Sequence, residues 1–296
     1  FLDLVALGIV VDVAQQVADT RYLLQRGLDQ LRLTRRHGLL ALLATAGLQQ
    51  AQIGATEIAF QIGPRLNAAG RLDDARPVVE LLTTQDPGRA AFLASHLEAL
   101  NQQRQLQTRQ MLAAAHAQIE QDTTALDGEA IVLAGRDWHP GMIGLVASQL
   151  AEQYHRPAVL FSVSEDGLAR GSARSAPGYD IGAAIAAQAD LLIAFGGHPG
   201  AAGLSLHEDK LPAFRRRLSD TLRVSRDPAV DSTLALDGIV QWRELSPALA
   251  SALERLAPFG EGNPPITLAA CDLSLRSHAQ MGRTRQHRRL TVQDAS

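Results

Sequence analysis

The sequence predicts an α/β protein built from several units, and three observations carry that reading. Between about residues 126 and 224, short apolar runs alternate with helical patterns. Ahead of them, residues 89–121 hold a helical pattern with no Pro or Gly. Beyond about residue 228 the pattern changes to short strand-like runs separated by turns.

The elements follow in order. FLDLVALGIVV is an almost uninterrupted apolar run that reads as a buried strand ending at Asp12. Ligands of open α/β sheets bind at the carboxyl ends of strands, which makes Asp12 a candidate ligand residue. Asp3 is the weaker candidate, and its plainer reading is a strand-end cap. Apolar spacing at residues 22–33 and 39–46 predicts helices. GPRLNAAGRLDD, residues 63–74, reads as a small-residue turn that gathers Arg65, Asn67 and Arg71. Planar guanidinium forks beside an amide suit an oxyanion; the plainer reading is a helix start with solvated arginines. Asp86-Pro87-Gly88 then punctuates. The helix after it would span roughly 45–50 Å. Its polar middle, residues 101–110, reads as a solvated span between two domains.

In the alternating region, residues 130–134, 158–163 and 191–195 read as strands, with helices at 143–154, 181–189 and 211–222. Three segments there carry polar chemistry. In RDWHPGMIGLVAS, Trp138 and His139 precede a Pro-Gly helix entry, where they could stack on or bond a nucleotide. The commoner roles of such a pair are core plug and helix cap. In LARGSARS, Arg170, Ser172 and Arg174 alternate, so a strand would put them on one face. A solvated edge strand fits equally well. In FGGHPGAAG, four glycines and His198 follow the apolar LLIA. The N–H groups of Gly196 and Gly197 could cradle a phosphate while His198 bonds or protonates one of its oxygens. The same pattern also serves as an ordinary packing turn. Near the C-terminus, Arg276, Arg283, Arg285, Arg288 and Arg289 make the one locally basic stretch, either a strand-binding face or a solvated hairpin.

Composition sets bounds. The 296 residues are 46% hydrophobic and 20% charged, ordinary globular material long enough for two or more domains. A net charge of −3 provides no global basic field. Cys271 is the only cysteine, so no intrachain disulfide forms, which fits a cytoplasmic setting. No apolar run reaches the ~20 residues of a membrane span.

PRLNAAGR, WHPGMIGLVAS, GSARS and FGGHPGAAG, in this order, closely resemble the RecJ branch of the DHH phosphoesterases, bacterial exonucleases that degrade single-stranded DNA 5′→3′. The opening residues and LAPFGEGNPP extend the resemblance along nearly the whole chain. It implies four parts: the C-terminal portion of a DHH domain (1–86), a connecting helix (87–123), a substrate-binding α/β DHHA1 domain (124–226), and the start of a β OB-fold domain (227–296). It implies Mn²⁺ or Mg²⁺, with Asp12 as one ligand in a segment the family writes GT-x-AD; Ile9 and Val11 depart from that pattern. The family's DxD and DHH motifs do not occur, so the chain is expected to be a fragment that binds metal weakly alone.

The resemblance also suggests roles. Arg65, Asn67, Arg71 and His198, with the Gly196 and Gly197 amides, would hold the scissile phosphate. Arg170, Ser172 and Arg174 would seat the 5′-phosphate, Trp138 and His139 would touch the nucleotide, and Arg283, Arg285, Arg288 and Arg289 would track the strand. The expected partner is single-stranded DNA with a 5′ end; a single-strand-binding protein or helicase could be recruited, and a monomer is expected. Rival readings are a phosphodiesterase of short oligonucleotides or cyclic dinucleotides, a non-catalytic nucleic-acid-binding module, and a nucleotide-binding regulatory domain.

Overall fold

A computed structural model describes residues 1–122, 124–227, 234–282, 285 and 287–294. In chain order the helices begin with α1 (Leu2–Val11), α2 (Ala18–Arg32) and α3 (His37–Thr45). A single turn, α4 (Ala55–Glu57), continues through a π turn (Ile58–Ile62) into α5 (Gly63–Leu72). Next come α6 (Arg76–Thr83) and the long α7 (Pro87–Gln121). Then follow β1 (Ile131–Gly135), α8 (Pro140–Tyr154), β2 (Ala158–Val163), β3 (Leu168–Arg174), α9 (Ile181–Ala186), β4 (Ala194–His198), β5 (Ala201–His207) and α10 (Leu211–Ser225). The last elements are β6 (Gly238–Val240), α11 (Pro247–Glu254), β7 (Leu268–Ala270), β8 (Leu273–Met281) and β9 (His287–Asp294). They fall into two compact units.

One unit comprises residues 1–34, 48–63 and 234–296. Its first element corrects an expectation: the run read as a strand is α1. An almost wholly apolar stretch carries no period that separates a buried helix from a buried strand. Ala6, Leu7 and Val10 are buried, and α1 packs along α2, whose Leu24, Leu28 and Leu31 are likewise buried. Asp3 is therefore a buried first-turn carboxylate rather than a strand cap. It accepts from Thr34 Oγ1 at 2.9 Å and from the Leu4 N–H at 3.0 Å. The loop after α11 is tied to the segment around α2: Arg21 Nη1 donates to the Pro258 carbonyl at 2.8 Å, and the Gln16 N–H to the Glu261 carbonyl at 2.6 Å. β6 pairs in parallel with β7, and β8 forms an antiparallel hairpin with β9.

The other unit comprises residues 35–47 and 64–233. Its sheet has the order β1-β2-β3-β5-β4, with β1 and β2 parallel and the other pairs antiparallel. The strand period sorts side chains onto two faces. Val159, Phe161, Ala169 and Ala173 face a core closed by Ile181 and Ile185 of α9 and Phe214, Leu218 and Leu222 of α10. Ile131, Leu133, Ala158 and Leu160 face the opposite core, with Met142, Val146 and Leu150 of α8 and Met111, Ala115 and Ile119 of α7. The result is a layered α/β/α arrangement.

Two further expectations change in this unit. GPRLNAAGRL is the helix α5, not a turn: it continues the helical run of α4 and the π turn, whose altered hydrogen-bond register directly precedes Pro64, and its Ala-Ala core favours helix. FGGH is not the loop after a strand but most of strand β4, at the sheet edge, and Leu191 lies in a short 3₁₀ turn before it. Gly197 lets β4 approach β5: a Cβ there would lie 2.3 Å from the Ala201 carbonyl oxygen.

Candidate phosphate-binding site

The first turn of α8 is where the polar segments meet. His139 is its N-cap, with Nδ1 accepting the Gly141 N–H at 3.0 Å. Arg71, at the end of α5, donates from Nη1 to the Gly141 carbonyl at 3.2 Å. From β3, Arg174 Nη1 donates to Ser172 Oγ at 3.0 Å, and both side chains stand over Gly144. The place where a Gly144 Cβ would sit is 2.9 Å from Arg174 Nη2 and 2.9 Å from Ser172 Oγ. From α7, Thr108 Oγ1 lies 3.6 Å from Met142 Sδ, and Arg104 stands one turn earlier.

The charge balance here is unusual. Arg71, Arg104 and Arg174 are each partly buried. Burial pulls the affinity of all three guanidiniums for protons below its ordinary value, and the Arg71 charge lowers Arg104 and Arg174 further. None of the three has a carboxylate partner among the described residues. Mutually repelling cations withdrawn from water, next to a helix N-terminus, make an environment that an anion stabilises.

The sequence-predicted residues divide around this centre. Ser172 and Arg174 of β3 converge as the alternation requires; Arg170, on the same face, is exposed. Arg71 joins Ser172 and Arg174 rather than the glycine-rich strand. The helix geometry of α5 separates Arg65 from Asn67: Arg65 Nε pairs with Glu98 of α7 at 2.6 Å, both side chains largely buried at 16% and 21% exposure. Asn67 is exposed, one turn before Arg71. The grouping of Arg65 with a phosphate is therefore corrected to a structural ion pair.

Trp138 is only 7% exposed and its indole lies against Gly135, so its faces are covered and the expected base stacking is corrected to core packing. Its carbonyl accepts from Ser162 Oγ at 2.6 Å. His139 is exposed and, with Gln107, Gln118, Arg136 and Ser164, lines a cleft of about 990 Å³ beside α7. His198, Gly196 and Gly197 are exposed on edge strand β4, which has β5 on one side only. His198 Nδ1 accepts the Gly200 N–H at 3.2 Å, so the neutral ring carries its proton on Nε2, a donor for an oxyanion.

In the other unit, Asp12 caps the C-terminus of α1 and is exposed. Among the described residues no three His, Cys, Asp or Glu side chains gather as a metal site. Arg285, Arg288 and Arg289 are exposed at the β8–β9 hairpin, while Arg283 lies outside the described residues. Arg104, in the stretch whose polar residues predict a solvated span, is instead partly buried and donates to Asn101 Oδ1 at 2.9 Å. Its clue was a shared face: Asn101, Arg104 and Thr108 are spaced by one helical turn.

Partly buried arginines gathered beside a helix N-terminus on an α/β/α unit are chemistry suited to an anion, and comparison with known proteins gives the family. Residues 127–224 match the DHHA1 domain model and residues 236–296 the RecJ OB domain model. The chain is 32% identical to the single-stranded-DNA-specific exonuclease RecJ of Bacillus subtilis, covering 100% of this chain and 38% of that protein. It is 38% identical to RecJ of Dickeya dadantii, covering 90% and 48%. The crystal structure of RecJ from Thermus thermophilus in complex with Mg²⁺ superimposes with a TM-score of 0.85 at 32% identity, covering 99% of this chain and 45% of that one. A structure of exonuclease RecJ bound to manganese gives 0.64 at 34% identity, covering 78% and 57%. The chain belongs to the RecJ family. It spans less than half the length of these curated relatives. Among the described residues no helix is long and apolar enough to cross a membrane.

Proposed function

We propose that this chain is the substrate-gripping part of a RecJ-type exonuclease, a metal-dependent hydrolase that shortens single-stranded DNA from its 5′ end and releases 5′-mononucleotides in DNA repair and recombination. The observation that carries this reading is the gathering of Arg71, Ser172 and Arg174 around the first turns of α8, whose partly buried cations have no carboxylate partner among the described residues. A terminal 5′-phosphate is a dianion and fits it. Gripping the strand end there fixes which phosphodiester lies at the scissile position, and hence direction. His198 donates from Nε2 to an oxygen of that phosphodiester as charge develops, and the outward amides of β4 assist. Arg170, and separately the hairpin arginines Arg285, Arg288 and Arg289, attract single-stranded DNA electrostatically.

Mn²⁺ or Mg²⁺ is the proposed cofactor, in keeping with the relatives solved with each. Asp12 alone does not fit a divalent ion, which needs several oxygen or imidazole ligands; no step is assigned through the metal on these residues.

The test is fluorescence anisotropy of the chain with labelled single-stranded DNA, 5′-phosphate against 5′-hydroxyl, over a salt series. Tighter binding of the phosphorylated end, with a salt slope equivalent to only about one or two phosphates, is expected. Equal and steeply salt-dependent binding of both ends would refute end recognition.

A further inference from the structure

The link between α1 and α2 is held under strain. Val13 has φ +54°, an outlier for a β-branched side chain, and Ala18, the first residue of α2, has φ +43°. Between them Gln16 is only 4% exposed, yet its Oε1 is covered and accepts no hydrogen bond among the described residues. Strained backbone and orphaned buried acceptors persist only where surrounding contacts over-determine them.

Those contacts come from the loop after α11. The Gln16 N–H donates to the Glu261 carbonyl at 2.6 Å. Arg21, near the start of α2, donates from Nη1 to the Pro258 carbonyl at 2.8 Å and from Nη2 to the Leu256 carbonyl, which places its charge at the C-terminal end of α11. Gly260 leaves room for the Gln16 carboxamide, since a Cβ there would overlap it. A Cβ on Gly262 would lie 3.1 Å from Val17 Cγ1. The loop also holds its own shape. Asn263 Nδ2 donates to the Pro258 carbonyl at 2.7 Å, and Gly260 and Asn263 exchange backbone hydrogen bonds at 2.9 and 3.0 Å. Just beyond it, the Thr267 N–H donates to Asp237 Oδ2 at 2.7 Å beside β6, which anchors the loop in the C-terminal portion of the unit.

We propose that residues 256–263 form a latch, and that the α1–α2 link keeps its strained geometry only while this latch is closed. α1 ends regularly, with the Asp12 N–H bonded to the Gly8 carbonyl at 3.0 Å, so the strain begins at the next residue. The C-terminal portion thereby fixes the chain immediately behind the exposed Asp12. Opening relaxes Val13 and Ala18 and returns the Gln16 amide to water. It costs less than unfolding the unit, because the closed state already carries the strain and the orphaned acceptor. The latch is independent of the phosphate-binding arginines.

The experiment reads amide hydrogen exchange residue by residue, by NMR on the isotope-labelled chain. The Val13 N–H bonds the Val10 carbonyl at 3.2 Å and the Ala14 N–H the Ile9 carbonyl at 3.0 Å, so neither touches the latch directly. Arg21→Gln and Gly260→Ala should each speed exchange at Val13 and Ala14 about tenfold, the worth of a charged hydrogen bond. The Leu28 and Leu31 amides of α2 should keep their wild-type rates, and Arg26→Gln, at an exposed arginine of the same helix, should match wild type throughout. Adding Val13→Asn, a side chain that tolerates positive φ, to Arg21→Gln should restore the protection of Ala14. Faster exchange confined to Gln16 overturns the inference, because the loop then only covers a link that holds itself. Equal acceleration throughout α1 and α2 overturns it too, since the unit then opens as one. Failure of Val13→Asn to restore protection means that strain is not what the latch holds. Should Arg21→Gln fail to fold, Gly260→Ala, with and without Val13→Asn, gives the same decision.

Discussion

Arg174 donates to Ser172 Oγ at 3.0 Å from two places along β3, and both side chains rest over the bare Cα of Gly144 in α8. The strand supplies the donors, and the helix supplies the space and the positive end of its dipole. Gly144→Ala sets these against each other. Alanine favours a helix by up to about 1 kcal/mol, so thermal stability should hold or rise, while its methyl displaces Arg174 and Ser172. Preference for a 5′-phosphate should fall. Lost stability with unchanged preference in the same binding assay would remove this packing argument.

Arg174→Ala itself should cost about 1.5–3 kcal/mol in binding a 5′-phosphorylated end and little for a 5′-hydroxyl end. The comparison isolates end recognition from general attraction, because the hydroxyl strand keeps every internal phosphate. Equal losses on both would assign Arg174 to the strand instead.

Arg65 and Glu98 form a largely buried pair across α5 and α7. Removing one partner takes the ion pair from a largely buried charge, at a cost of about 3 kcal/mol. Arg65→Ala and Glu98→Ala should each lower the unfolding free energy in urea by about that amount, and the double variant by less than the sum. Additive losses would mean the pair does not couple.

How far these features were legible in the sequence depends on whether a period was present. β2 reads correctly at residues 158–163 because it is bounded and β-branched, and α7 because residues 89–121 run without a breaker after Pro87 and Gly88. α1 misreads as a strand because its residues are almost all apolar, so no face stands out. The Arg71–Ser172–Arg174 pocket draws on segments about a hundred residues apart. Alternation on β3 gives the last two; nothing local says Arg71 belongs with them while Arg65 does not. Had α5 been read as a helix, its period would have put Arg65 and Asn67 on different sides. The partial burial of Arg104 stayed hidden because a polar helical face looks solvated unless something polar is known to cover it.

Asp122, just past α7, offers a pH test. The Thr124 hydroxyl and then the Arg215 guanidinium hold its carboxyl down at about 2, below its usual 3.8. A carboxyl lowered in the folded state stabilises above its unfolded value, and that contribution drains away as pH falls through the folded one. The stability gap between wild type and Asp122→Asn should therefore be flat above about pH 4 and close as the pH nears 2. A gap that persists undiminished below pH 2 in acid denaturation would mean that the link does not hold.

His198 sits at the end of β4 with Nδ1 occupied by the Gly200 N–H, which fixes the neutral ring as an Nε2 donor. A donor aimed at charge that develops only in the transition state lowers the barrier without tightening substrate binding. In the intact enzyme, His198→Ala should reduce kcat by about 10²-fold, the typical loss for one oxyanion donor, with little change in the affinity for single-stranded DNA. The ring is exposed at a sheet edge, so its removal should leave the thermal midpoint close to wild type. Unimpaired turnover removes the proposed role. A matched fall in affinity and turnover would instead make His198 a binding contact, formed as fully with the substrate as with the transition state.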